Sequence, residues 1–585
     1  MDPIAQPSSV PAGSRHECPG ARLGTDDRRG AAGASNRRAA VGYTATGITG
    51  YAVYRVRTAL AAALIVLGAA GCGRAPPAPA AAPDAHASRP ADVAWFEGEI
   101  GQAFVVAQRQ RKPVFVYFGA VWCPPCQELK ATIFRRQDFL DRLSLFVPVY
   151  LDGDAPGAQR WADEFRVTGY PTVLILRGDR SELERVSGGM DLSRYAEVLD
   201  LGTTALHPVA ELLASLDQGR AVLSRDDCRI LAYNAWDLDE AWIFSDDHPG
   251  WLEHMSDALS RAAARCPLDA GIERARLVIT AASAAASAEG GALQAGQAAS
   301  ARLASAVAVL RALLVDEALA SSVGDALEGL PLGFFVAAAR GDAAHAGEFL
   351  AHWKRIMDAL GADPRYSQAS RLYALRSQII ASKGLERSGA VPPALADGAK
   401  RRIDAALAQE HEPLARTSVV NAALNVLDEL DDTERSYAIL AGEIRTSKTP
   451  YYYMGDLGQL EEQRGNQEAA VGWLARAYRE SQGQATRFQW GVSYVRGLLR
   501  MRPDDETAIQ RAALEVLGEL EGEGRIHGRS RRRLDYLAAQ LHAWNRDGQH
   551  AATIGVLRAR MDGICRKLPA GDSAHAACNG FLAKV

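Results

Sequence analysis

The sequence predicts an α/β domain over residues 92–202, followed by a large all-α, helical-repeat-like region over residues 205–585. Three observations carry that prediction. In the first segment, short β-branched and aromatic runs such as Pro113 to Phe118 alternate with amphipathic stretches. From His207 onward Ala, Leu, Arg and Glu dominate, and apolar residues return at helical steps, as in Leu303, Val307, Leu310 and Leu314, or Val419, Leu424, Leu427 and Leu430. At 585 residues the chain also exceeds what one hydrophobic core usually serves.

Residues 1–54 are rich in Gly, Ser, Ala and Arg without periodicity, the composition of a disordered or doubtful leader. A signal segment belongs at the start of a chain, so the expected translation start lies near Val53 or Val56, with Met1 to Ala52 an artefact of gene calling. Residues 55–72 carry Arg55 and Arg57 ahead of an apolar core from Thr58 to Ala70, a secretory-signal pattern that is short for a membrane span of about 20 residues. The core runs into Gly71-Cys72, which resembles the lipobox of bacterial lipoproteins; the resemblance implies lipidation of Cys72 and attachment to a lipid membrane. Ala69 departs from the usual residue of that motif, which leaves ordinary cleavage as the alternative, and Gly73 lacks the aspartate of inner-membrane retention. Residues 73–91 are Pro/Ala-rich and read as an extended tether.

Within the α/β segment, the apolar run ending at Phe118 reads as a buried strand, and Leu129, Ile133 and Phe134 recur at helical spacing beyond it. Trp122-Cys123-Pro124-Pro125-Cys126 lies between them, which puts Cys123 at the start of an amphipathic helix. Unpaired N–H groups and the positive dipole end at a helix start favour a thiolate, the nucleophile of disulfide exchange, and Cys126 is spaced to resolve the mixed disulfide. A plain structural disulfide or half of a metal site is the competing reading. No histidine occurs between Ala91 and Gly202, which disfavours a Cys-His nucleophile and a mixed-ligand zinc site. The two prolines remove two N–H donors and leave the Cys126 amide as the nearest backbone donor to the Cys123 sulfur. A Pro124→Gly variant is therefore expected to lower the Cys123 pKa.

With Tyr170-Pro171-Thr172 further along, residues 92–202 resemble the thioredoxin superfamily. The elements expected are a helix (Phe96 to Arg109), strand (Pro113 to Phe118), active-site helix (Cys123 to Arg135), strand (Leu145 to Leu151) and helix (Gly157 to Phe165), then strands Val173 to Leu176 and Leu183 to Ser187 and a last helix from Asp191. The resemblance implies that Cys123 is the exposed attacking cysteine, Cys126 the buried resolving one, and Trp122 their neighbour. It further implies that Pro171 is cis, holding Tyr170 backbone for an incoming chain, and that Gly188 with Gly189 walls the substrate groove; the alternative for that pair is a β-turn. Many family members carry a buried carboxylate where this chain has Tyr117, so proton transfer from the resolving thiol falls to water or Glu128.

Eight cysteines occur. Beyond Cys18, Cys72, Cys123 and Cys126, the remaining four allow three pairings, and proximity favours Cys228–Cys266 and Cys565–Cys578 as structural disulfides, in keeping with export; free buried thiols are the alternative. In the helical region, Leu457-Gly458, Ala470, Leu474 and Ala477 around a Gly465-Asn466 turn resemble one tetratricopeptide unit, or else an ordinary helical hairpin. The Ala/Ser/Gly stretch from Ala281 to Ala299 reads as a soft boundary between lobes. Tyr451-Tyr452-Tyr453 and Phe488-Gln489-Trp490 read as core filling, with a partner-peptide groove as the alternative. Arg525, Arg529 and Arg531 to Arg533 read as a solvated loop, because the chain carries net charge −4 and an exported protein meets little nucleic acid.

The sequence thus points to an exported, lipid-anchored thiol-disulfide oxidoreductase on the periplasmic side of a bacterial envelope. It would act on protein disulfides or dithiols, draw on a membrane electron carrier as redox partner, and need no metal or organic cofactor. The rival reading is a helical scaffold that keeps the thioredoxin fold as a docking module; metal capture by the two thiolates is a third.

Overall fold

The computed structural model describes residues 93–582, apart from residues 156, 187–198, 201, 204–206, 220–221, 244, 246–247, 387–388, 523 and 573. The leader, the signal segment with Cys72, the tether, the Gly188-Gly189 pair and the start of the helix expected from Asp191 lie outside the described residues.

Strands β1 (Val114–Gly119), β2 (Val147–Asp152), β3 (Thr172–Leu176) and β4 (Glu182–Val186) form one mixed sheet in the order β2-β1-β3-β4. β1 runs parallel to β2 and antiparallel to β3, and β3 is antiparallel to β4. Every residue of β1 is buried because both faces of the sheet are covered, which is why its sequence is apolar without alternation. Val114, Val116 and Phe118 share one face with Phe104 of helix α1 (Ile100–Gln110), while Phe115 and Tyr117 share the other with Phe134 and Phe139.

Local chemistry moves several expected boundaries. Helix α1 starts at Ile100 rather than near Phe96, since Gly98 takes φ 130°, outside the helical range. The single helix expected from Cys123 to Arg135 is broken. Helix α2 (Pro124–Ala131) stops at Thr132, whose hydroxyl donates to the Glu128 carbonyl at 2.6 Å; a short 3₁₀ turn (Ile133–Arg135) and α3 (Gln137–Leu143) follow. Helix α4 (Ala158–Glu164) begins after Gly157, which sits at φ 80°.

β4 is an edge strand, and the helical region protects it: the Ala235 amide donates to the Arg185 carbonyl at 2.8 Å, and Asn234 Oδ1 accepts from the Arg185 amide at 3.1 Å. Beyond this point the described residues are helical hairpins with no further named strand. Helix 271–294 runs unbroken through most of the Ala281–Ala299 stretch, so that segment is the inside of a helix rather than a lobe boundary. Alanine is a strong helix former, and Ala282, Ala285 and Ala286 pack in a core there.

The helices Pro450–Gln463 and Gln467–Glu480 form a hairpin around Gly465, at φ 80°. Their crossing is close: a Cβ at Gly458 would stand 3.0 Å from Leu474 Cγ. Arg502 to Asp505 form the next turn, where the Asp505 side chain accepts from the Ala508 amide and starts helix Glu506–Gly518. Disulfides join Cys228 to Cys266 and Cys565 to Cys578. The first ties helix Arg225–Tyr233 to the end of helix Trp251–Arg265, and the second ties helix Ala551–Cys565 to Ala574–Gly580.

Candidate active site

Strand β1 delivers the chain through Ala120 and Val121 to Cys123, the N-cap of α2. Pro124 and Pro125 fill the first two helical positions, which need no intrahelical N–H, so the Cys126 amide is the first-turn donor that reaches the Cys123 sulfur, at 3.2 Å. Cys123 and Cys126 are joined as a disulfide with Cα atoms 5.2 Å apart.

The second wall comes from the turn before β3. The Tyr170–Pro171 bond is cis, and Thr172 Oγ1 closes the turn on the Gly169 carbonyl at 2.9 Å. The Tyr170 ring lies beside that of Trp122, the residue before Cys123, with centroids 6.3 Å apart and the planes tilted by 59°. Each is held by a polar partner: Trp122 Nε1 donates to Asp154 Oδ2 at 2.9 Å, and Gln159 Nε2 donates to the Tyr170 hydroxyl oxygen at 2.9 Å. Burial raises the Tyr170 pKa above the ordinary phenol value, with the Arg529 charge opposing it.

Tyr117, in the place of the family carboxylate, directs its hydroxyl at the Cys126 carbonyl, 3.4 Å away, and packs edge-on against Phe134 with centroids 4.9 Å apart. A phenol used as a donor to the main chain does not serve as a base. Glu128 lies near the helical region, and burial holds its pKa above the usual carboxylate range, against the lowering influence of the Ser367 and Ser418 side chains. Two positions further on, burial pulls the Lys130 pKa down to about 8.

Two expectations fail here for one reason: the helical region lies on the face that carries the disulfide. Cys123, expected to be exposed, is 2% exposed, and Cys126 is 0% exposed. Ser418 of helix Pro413–Glu429 donates to the Pro124 carbonyl at 2.5 Å, and Tyr452 stacks on Trp122 with centroids 6.2 Å apart. Asp154, already the acceptor for Trp122, also accepts from the Thr486 amide at 2.9 Å and the Thr486 hydroxyl at 2.8 Å.

The second failure concerns the arginines expected on a solvated loop. Arg529 is 8% exposed in helix Gly528–Trp544; its guanidinium lies 4.9 Å from the centroid of the Trp122 ring and 5.0 Å from that of Tyr170, and 3.5 Å from Asp154. Its backbone N–H donates to Gln159 Oε1 at 3.0 Å, Arg531 pairs with Asp163 at 3.4 Å, and Arg532 donates to the Val167 carbonyl at 3.0 Å. Sequence patterns single out neither Asp154 nor Thr486 and show Arg529 only as part of a basic loop, because Thr486 and Arg529 lie hundreds of residues downstream of the domain they meet. The tyrosine and tryptophan clusters fill a core, and that core includes the disulfide itself.

Residues 100–203 match the family model of a thioredoxin-like domain. Protein disulfide-isomerase A2 of Homo sapiens is 34% identical over 95 residues, which span 16% of this chain and 18% of that protein. The chain therefore spans about a fifth of the length of the curated relative it matches. No solved structure matches. The chain carries a thioredoxin-like domain with a close Cys123–Cys126 pair, followed by a long all-helical region.

Proposed function

We propose that this protein is a thiol-disulfide oxidoreductase that exchanges disulfides with protein substrates through Cys123 and Cys126. The observation that carries the reading is the juxtaposition of a disulfide at a helix N-cap with a cis Tyr170–Pro171 turn. In the reductive direction the Cys123 thiolate attacks one sulfur of a client disulfide and the other client sulfur leaves as a thiolate. Cys126, deprotonated by water, then attacks the Cys123 sulfur, and the second client thiol departs. The protein is left oxidised by two electrons, which an external dithiol must return; the oxidative direction reverses each step.

Export, lipidation at Cys72 and residence on the periplasmic side of a bacterial envelope belong to the same proposal. They are supported by the order of basic, apolar and Gly71-Cys72 segments and by the two further disulfides. In that setting a membrane electron carrier is the natural source of electrons. Insulin reduction by the full chain, compared with Cys123→Ser, tests the chemistry. Activity confined to the parent is expected, and equal rates in both would end the reading.

One observation favours the rival reading of a helical scaffold with a docked thioredoxin fold, namely the burial of both sulfurs beneath the helices. A scaffold would bind its partners equally well with Cys123 and Cys126 both changed to Ser. An oxidoreductase would instead accumulate mixed disulfides with its clients in a Cys126→Ser variant, which keeps the attacking Cys123 but cannot resolve the adduct, and would lose them when Cys123 is changed as well.

A further inference from the structure

We infer that the C-terminal helical region is a built-in cover over the dithiol, clasped through Asp154, which must swing away before a client reaches Cys123. The inference rests on the oxidoreductase reading and adds its regulation. A client chain needs access to the disulfide and to the surface beside the cis bond, and side chains of the helical region lie over both. Tyr452 lies on Trp122, the Arg529 guanidinium spans Trp122 and Tyr170, and Ser418 holds the Pro124 carbonyl next to Cys123.

The character of this contact is that of a surface made to part. Asp154 gathers Trp122 from its own domain and Thr486 and Arg529 from the helices, so one carboxylate joins the two sides. A buried ion pair of this kind gains little net free energy once desolvation is subtracted, although losing one partner is costly. The interface also leaves polar atoms unmatched: Arg529 Nε and the Tyr451 hydroxyl are buried without a hydrogen-bond partner. Each such group is penalised in the closed state and regains a partner in water once the interface parts. Backbone geometry fits the clasp closely as well. Gly483, at φ 78°, lets the chain pass where a Cβ would stand 2.5 Å from Asp154 Cβ. The polar pairs and charged side chains are of the kind that separate and re-form within a chain, while the aromatic core shared behind them keeps the cover shut most of the time.

The test is the alkylation rate of Cys123 in the reduced full chain, followed by peptide mapping, across low concentrations of denaturant. A cover predicts native-state alkylation at least about 100-fold slower than in the unfolded chain, the rate expected for an opening of about 3 kcal/mol. It further predicts a denaturant slope well below that of global unfolding, since only the cover parts. A Thr486→Val/Arg529→Leu variant should react about tenfold faster or more while the denaturant slope stays well below the global one, which separates loss of the clasp from a general loss of stability. Native alkylation within tenfold of the unfolded rate, or a slope equal to the global one, would overturn the cover.

Should the double variant fail to fold, the parent's rate and slope still decide. Failure of the oxidoreductase reading is separable, because alkylation reports access alone. A Cys123 that opens locally yet never reduces insulin sinks the enzyme and leaves the cover standing. Insulin reduction with freely reactive Cys123 does the reverse.

Discussion

Replacing Pro125 with alanine should lower the Cys123 pKa by about one unit. Cys123 is an N-cap residue, and a cap side chain accepts from the amides two or three positions on. In this chain the nearer of those positions is Pro125, so the sulfur accepts from Cys126 alone, at 3.2 Å. Alanine at 125 restores the missing N–H. A hydrogen bond to a charged acceptor contributes roughly 1.5–3 kcal/mol, and the lower end applies to a bond shared with the existing one, which corresponds to about one pKa unit. Because the thiolate belongs to the reduced form, the same 1.4 kcal/mol raises the reduction potential by about 30 mV. Pro124→Gly should lower the pKa less, since the first helical amide lies outside the usual capping set. Ultraviolet thiolate absorbance against pH gives the pKa and equilibration with glutathione gives the potential. A pKa that stays put in Pro125→Ala, or falls further in Pro124→Gly, would refute the capping account.

Glu184 on β4 is fully buried, both carboxylate oxygens lack a hydrogen-bond partner, and burial raises its pKa well above the ordinary value of 4.5. Below that value both folded and unfolded states hold the proton; as pH rises the unfolded chain ionises first, so this group's contribution to stability falls with pH. Glu184→Gln should thus gain in urea midpoint over the parent at pH 8 relative to pH 5, and a constant difference would contradict the assignment. Changing Cys565 and Cys578 together to Ser opens a cross-link of sequence separation 13, and should cost about 3 kcal/mol in the unfolding of the C-terminal helices. Hydrogen exchange that is unaltered in helix Ala551–Cys565 would argue against it. A Cβ at Gly455 would sit 2.3 Å from the buried Trp490 ring, so Gly455→Ala should destabilise by about 1–3 kcal/mol, read by thermal melting.

Much of the thioredoxin-like domain was legible because its elements are written in short-range chemistry. A short unbroken apolar run rich in β-branched and aromatic residues fits a strand buried on both faces, and two prolines after Cys123 fit the first helical turn, where a missing N–H costs nothing. The misplaced boundaries at Phe96 and Thr132 reflect single-residue effects, a glycine φ and a hydroxyl competing for a carbonyl, that periodicity averages away. The Ala281–Ala299 stretch misled because small residues mark both linkers and tightly packed helices, and only the neighbours decide which.

The sequence by itself determined the two-part fold class and the pair of sulfurs at a helix tip, since those depend on residues within a few positions of one another. Only the tertiary structure decided that the sulfurs are covered, that Arg529 leaves solvent to lie on Trp122 and Tyr170, and that Asp154 binds both halves of the chain. The physical reason is range. Burial of a charge or a thiol is set by which distant surface comes to rest against it, and that pairing is a property of two shapes meeting rather than of either stretch of chain.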